Sequence, residues 1–141
     1  VEAGRIPPAH TDTDAYVHFT RVNALHMGDV YFNGIYPFID ASTGGSINGQ
    51  IAGATLGLKI SDKSTRIVPG HGPVADRTAL MAYRDMLVTV RDRVQKLKAS
   101  GRTLAEVTAA KPTADLDATW GAGFMKADDF VAIVYHTLRL K

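Results

Sequence analysis

At 141 residues the chain has the length of one domain, able to remove roughly 68–70% of its unfolded surface from water, and an apolar fraction of 45% with a charged fraction of 21% excludes a disordered or fibrous class. A net charge of +2 with no Lys/Arg run interleaved with aromatics leaves no footprint for a nucleic-acid partner. The absence of cysteine excludes disulfides, thiolate nucleophiles and Cys-ligated zinc, so a metal site has to be built from His and carboxylates.

No apolar span of membrane length and no signal-peptide pattern is present, so a soluble chain with no membrane partner is expected, periplasmic or cytoplasmic. The sequence opens at Val1-Glu2-Ala3-Gly4 without an initiator Met and reads like the middle of a longer protein. Residues 15–19 and 21–26 carry β-type residues in short runs around Thr20-Arg21 and predict successive strands, as in a hairpin. The second run stops at Met27-Gly28-Asp29, where glycine permits a sharp turn. Residues 30–45 mix aromatics with Gly and Pro, and predict an ordered loop that packs its own side chains.

Ser46 is an N-cap candidate for an amphipathic helix to about Leu58, carrying Ile47, Ile51, Ala54 and Leu58 at helical spacing. Residues 65–69 predict a short apolar strand halted by Pro69-Gly70-His71-Gly72-Pro73. Asp76 caps a long helix over 77–99, with Leu80, Tyr83, Leu87, Val90, Val94 and Leu97 on one face, Arg84, Asp85, Arg91, Asp92, Arg93 and Lys96 elsewhere, and Gly101 just past its end. Its polar face suggests an outer helix covering a sheet. Thr103 and Glu106 form a capping box for a short helix ending near Lys111-Pro112, and a last helix is expected over 126–140. Trp120, in the Gly-rich segment Thr119-Trp120-Gly121-Ala122-Gly123-Phe124, is expected to anchor that helix. One domain over residues 1–141 follows, of mixed α/β (α+β) class: a small mixed sheet covered by helices.

Three turns carry metal-capable side chains after or beside apolar runs: Pro8-Ala9-His10-Thr11-Asp12-Thr13-Asp14, His26-Met27-Gly28-Asp29 and Pro69-Gly70-His71-Gly72-Pro73. Singly, His10 also fits a surface turn in which Thr11 and Asp12 bond the backbone, Asp29 a turn former and His26 the polar end of a strand. The third is the most pointed, because Gly and Pro are both doubled around one imidazole at a strand's end. A bare Gly-Pro loop with an incidental histidine is its competitor. His18, within a strand, and His136, within the last helix, read as satisfied or solvated histidines.

In this order the segments 8–14, 26–34 and 67–73, followed by a long amphipathic helix, resemble the C-terminal half of the metallo-β-lactamase superfamily of metallo-hydrolases. The resemblance covers about residues 1–100. It implies half of an αββα sandwich with a binuclear zinc site at one edge of the sheets, His10 on the first metal, Asp29 bridging both and acting in catalysis, and His71 on the second. A hydroxide held between the metals would attack an ester, thioester, lactone or β-lactam carbonyl of a small-molecule substrate. Aspartate at position 29, where some β-lactamases carry Cys, resembles the glyoxalase II, lactonase and cyclase-like members. The family's His-x-His-x-Asp-His string is absent, and three ligands over two metals are few. The expectation is therefore a C-terminal half whose partner is the missing N-terminal half or a second copy of the chain, or alternatively a non-catalytic half-domain that self-associates through its exposed sheet. The aromatic loop over 31–38 either walls the pocket or packs the core.

Overall fold

The computed structural model describes residues 1–140. Four strands form one mixed sheet in the order β1 (Glu2–Arg5), β2 (Ala15–Phe19), β3 (Ala24–His26) and β4 (Arg66–Val68), with the first two pairings antiparallel and β3 parallel to β4. The hairpin anticipated over 15–26 is present, but its second strand starts only at Ala24 because residues 20–23 are taken up by the turn, where Asn23 sits at φ 50°. β1 has no counterpart in the sequence reading. Its run Glu2-Ala3-Gly4-Arg5 has no apolar alternation, and it is a strand because β2 offers it a free edge, with Gly4 opposite Tyr16 and Arg5 opposite Ala15.

Five helices follow: α1 (Ile47–Ile60), α2 (Arg77–Ala99), α3 (Leu104–Ala109), α4 (Asp117–Trp120) and α5 (Ala127–Thr137). Their starts obey local capping chemistry. Ser46 Oγ accepts from Gly49 N–H at 3.0 Å, Asp76 Oδ1 from Ala79 N–H at 2.8 Å, and Thr103 and Glu106 close the anticipated box. β4 stops at Val68, since Pro69 has no N–H to donate.

One expectation about the helices is extended and one is corrected. The long helix α2 does lie against the sheet, at β4, and α1 shares that role. A Cβ at Gly53 would stand 2.5 Å from Val30 Cγ1 and one at Gly57 2.5 Å from Met27 Sδ, so these glycines let α1 lie close upon the apolar layer of Ile6, Leu25 and Met27. α1 also meets α2, which packs chiefly on α1 and α5 and touches the sheet at β4. α1 consequently exposes only the narrow stripe Asn48, Ala52, Thr55 and Lys59. The last helix ends at Thr137 rather than 140. Lys98 Nζ, from α2, donates to Tyr135 O at 2.6 Å and Leu138 O at 2.7 Å, satisfying end carbonyls that a further turn would otherwise bond.

One face of the sheet, carrying Tyr16, Leu25 and Ile67, is thus covered by α1 and, at β4, by α2. The other is uncovered. By register Ala3, Val17, His26 and Val68 share that outer face, and Phe19 lies beyond them opposite Ala24. This is one β layer with its helices, half of an αββα arrangement. Among the described residues no helix is long and apolar enough to cross a membrane.

Replacing Lys98 by Met keeps the apolar stem but removes both bonds to the end of α5. We expect a loss of about 1–2 kcal/mol in urea unfolding, with faster amide exchange confined to residues 134–138.

Candidate metal site at the sheet edge

The parallel pairing of β3 with β4 sets His26 level with Val68. Asp29 and His71 each lie three residues beyond those positions, so both emerge at the carboxyl ends of adjacent parallel strands, the place where α/β sheets present ligands. The β1–β2 connection comes to the same edge, because Arg5 pairs with Ala15 at the end of the hairpin facing it. His10 sits in that connection.

The three side chains meet there. His10 Nε2 is 3.5 Å from Asp29 Oδ2, and His71 Nε2 is 3.4 Å from Asp29 Oδ1. One carboxylate thus offers a separate oxygen to each imidazole. Among the described residues, however, no three His, Asp or Glu side chains close into a single self-sufficient metal-binding group: the site is two pairs that share Asp29.

Each member is held from behind. His10 Nδ1 donates to Phe38 O at 2.7 Å, which fixes the tautomer and leaves the Nε2 lone pair facing Asp29. Asp40 N–H returns a bond to His10 O at 2.9 Å. His71 lies flat on the buried Phe32 ring, centroids 4.8 Å apart and planes 8° apart, while Asn33 N–H donates to His71 O at 2.9 Å. Asp29 belongs to a short 3₁₀ turn, Gly28–Val30. The doubled glycines around His71 have distinct reasons: a Cβ at Gly70 would collide with Asp29 Oδ1, and Gly72 adopts φ 92° against Asn33 O.

Gln50, which sequence reasoning missed, locks the turn that bears Asp29. It is fully buried in α1, and its Nε2 lies 3.0 Å from Asp29 O, 2.9 Å from Val30 O and 3.0 Å from the Tyr83 hydroxyl. Burial pushes the Tyr83 phenol well above its ordinary range, so it stays neutral as part of this anchor. The available signal was one polar residue on the buried stripe of α1, between Ile47 and Ala54.

Of the two side chains expected to bond the backbone if the first segment were a surface turn, Thr11 does so, its Oγ1 accepting from Thr13 N–H at 3.2 Å. The carboxylate that does so is Asp14 rather than Asp12: its Oδ2 accepts from Thr11 N–H at 2.9 Å, because residue 14 is three positions on and can reach back across the turn. The other histidines stay apart. His18 Nε2 is 3.3 Å from Asn23 Oδ1, His26 Nδ1 accepts from Gly28 N–H at 3.1 Å, and His136 is exposed in the last turn of α5. In the aromatic loop Tyr31, Phe32 and Tyr36 are buried in the core, while Phe38 stands beside His10, ring centroids 5.8 Å apart. Trp120 ends helix α4 rather than lying in a glycine turn. It anchors this region by accepting Tyr36 N–H at 2.9 Å, and Tyr36 Oη donates to Asp117 Oδ1 at 2.8 Å.

Compared with solved structures, the chain is similar to a double mutant of the sec-alkyl sulfatase PisA1, with a TM-score of 0.75 at 18% identity over 95% of this chain. The architecture is half of the metallo-β-lactamase fold. The match spans 23% of the length of that sulfatase chain, and at this identity the likeness is one of fold. No protein-family profile and no curated protein sequence matches the chain.

Gln50→Leu leaves two buried carbonyls short of a donor. It should cost about 2–3 kcal/mol of stability by urea unfolding, and in NMR spectra the Asp29 and Val30 signals should shift more than those of His10.

Proposed function

We propose that this chain supplies one side of the metal centre of a zinc-dependent hydrolase, with His10, Asp29 and His71 as ligands and an ester, thioester, lactone or β-lactam carbonyl as the group attacked. One observation carries the reading: the two His–Asp29 separations of 3.5 and 3.4 Å. They are longer than an N–H···O hydrogen bond, about 2.7–3.2 Å. Two ligands roughly 2.0–2.2 Å from one ion at a tetrahedral angle stand about 3.3–3.6 Å apart. Because each imidazole takes a different oxygen, the arrangement suits a carboxylate spanning two ions better than three ligands on one.

The donor set fits zinc in chemistry and falls short in number. When bound, zinc supplies Lewis acidity and acidifies water toward a pKa of about 7. The chain's own part is orientation. His10 is committed through its Nδ1–H to Phe38, His71 is fixed by its stacking on Phe32, and the backbone carbonyl of Asp29 is held by Gln50. The remaining ligands would come from a segment carrying the His-x-His-x-Asp-His string.

Calorimetric titration of the chain with zinc tests this. We expect weak binding, reduced about tenfold or more by His71→Ala or Asp29→Ala and unchanged by His136→Ala. Binding indifferent to positions 10, 29 and 71 overturns the reading.

A second reading has its own support in the uncovered outer face of the sheet, where Phe19 is 43% exposed on the same face as Val17 and Val68. On this reading the chain pairs through that face, either with an N-terminal half of the fold or with a second copy. Light scattering after gel filtration should give a dimer of the isolated chain that reverts to monomer on Phe19→Asp with Val17→Asp. A monomer at every concentration counts against self-association.

A further inference from the structure

Asparagine occurs at positions 23, 33 and 48, and the last two precede glycine. An Asn-Gly pair is chemically labile, because no side chain on the second residue hinders its amide nitrogen from reaching the asparagine carboxamide. The fold treats the two pairs differently. Asn48-Gly49 lies in the first turn of α1, where Gly49 N–H donates to Ser46 Oγ at 3.0 Å and a Cβ on Gly49 would run into the Pro8 carbonyl. That amide is committed to the helix cap. Asn33-Gly34 occupies an open turn instead. Gly34 is exposed at φ 83°, with nothing within 4 Å of where a Cβ would stand, and among the described residues its N–H reaches no main-chain acceptor. Asn23 precedes Ala24, and its carboxamide donates to Asp62 and Ser64 and accepts from Thr65.

Asn33 is also a clasp on the loop that carries His71. Its N–H donates to His71 O at 2.9 Å, and its Nδ2 donates to Pro73 O at 2.9 Å. Gly72 packs so closely on Asn33 O that a Cβ there would collide, and Phe32 pairs with His71 through a parallel bridge. The bond to Pro73 O restrains the Asn33 side chain, but it lies at the exposed surface, where a single bond of this kind opens readily.

We propose that Asn33-Gly34 is a modification site, at which spontaneous deamidation releases the loop of His71. The Gly34 amide nitrogen gives its proton to hydroxide and attacks Asn33 Cγ, forming the new C–N bond of a cyclic imide. The Cγ–Nδ2 bond breaks, and Nδ2 takes a proton from water and leaves as ammonia. Water then opens the ring at either carbonyl, giving aspartate or its β-linked isomer, with no change of oxidation state. Aspartate sets a carboxylate oxygen against Pro73 O where a donor stood. The β-linked isomer loses the same donor and lengthens the main chain between residues 33 and 34 by one carbon. Both products weaken the clasp while leaving the apolar core untouched.

The zinc-free chain is aged in mildly alkaline buffer, folded and in urea, and conversion of each asparagine is read by peptide mapping with mass spectrometry. In urea the two Asn-Gly pairs should convert at similar rates. In the folded chain residue 33 should convert about tenfold or more faster than residue 48. The aged chain, separated from the fresh one by ion exchange, and the variant Asn33→Asp should both show shifted His71 ring signals by NMR. Exchange of the residue-33 amide should quicken about fivefold in both, while the Leu25 and Ile67 methyl signals stay in place. Should Asn33→Asp fail to fold, the aged chain carries the comparison. Equal conversion of residues 33 and 48 in the folded chain, unmoved His71 signals after conversion, or loss of the Leu25 and Ile67 signals on ageing overturns the proposal. None of these readouts needs metal, so the outcome stands apart from whether His71 binds zinc.

Discussion

The level pairing of two short parallel strands is the constraint on which the site depends. With His26 opposite Val68, equal three-residue extensions carry Asp29 and His71 to a common edge. A slip of one residue would move one side chain by about 3.3 Å along the strand and turn it to the other face. Strands this short hold their register through what lies on them. Leu25 and Ile67 are adjacent partners on the core face, both fully buried, and Met27 N–H extends the ladder to Val68 O at 3.0 Å. The apolar core therefore sets the geometry of a polar site several residues away.

From that register outward, the site is positioned mainly by main-chain groups. His10 is aimed by a carbonyl, Asp29 by an amide from α1 gripping its own carbonyl, and His71 by a main-chain bond together with a flat aromatic contact. The main-chain groups that hold His10 and His71 have no rotamers to lose and position these side chains at little entropic cost, whereas the Gln50 side chain gives up its rotamer freedom to hold Asp29. The requirement falls on the helix instead. α1 has to lie close enough to the sheet for the Gln50 amide to reach the turn, and the small residues along its inner face allow that approach. Covering the sheet and holding Asp29 are two consequences of one helix placement.

The outer sheet face is left uncovered. It carries Ala3, Val17, Val68 and Phe19 together with His26 and Arg66, a mixed surface of the kind found where one layer meets another. Phe38 and Phe124 stand beside the candidate ligand imidazoles His10 and His71.

Much of this was legible in the sequence where the determining interactions are local. Ser46, Asp76 and the Thr103–Glu106 box announce their helices because a cap bonds within three residues of itself, and the Pro69-to-Pro73 turn announces the end of its strand because proline ends a ladder wherever it occurs. The motif order pointed to the fold and singled out His10, Asp29 and His71. Tertiary structure alone decided the rest. β1 exists only because β2 has a free edge, α1 joins α2 in covering the sheet because of the approach its glycines allow, α5 stops where a lysine of another helix satisfies its carbonyls, and Gln50 reaches the site from a distant segment. Each of these depends on distances between residues far apart along the chain, and local propensity contains no such distances.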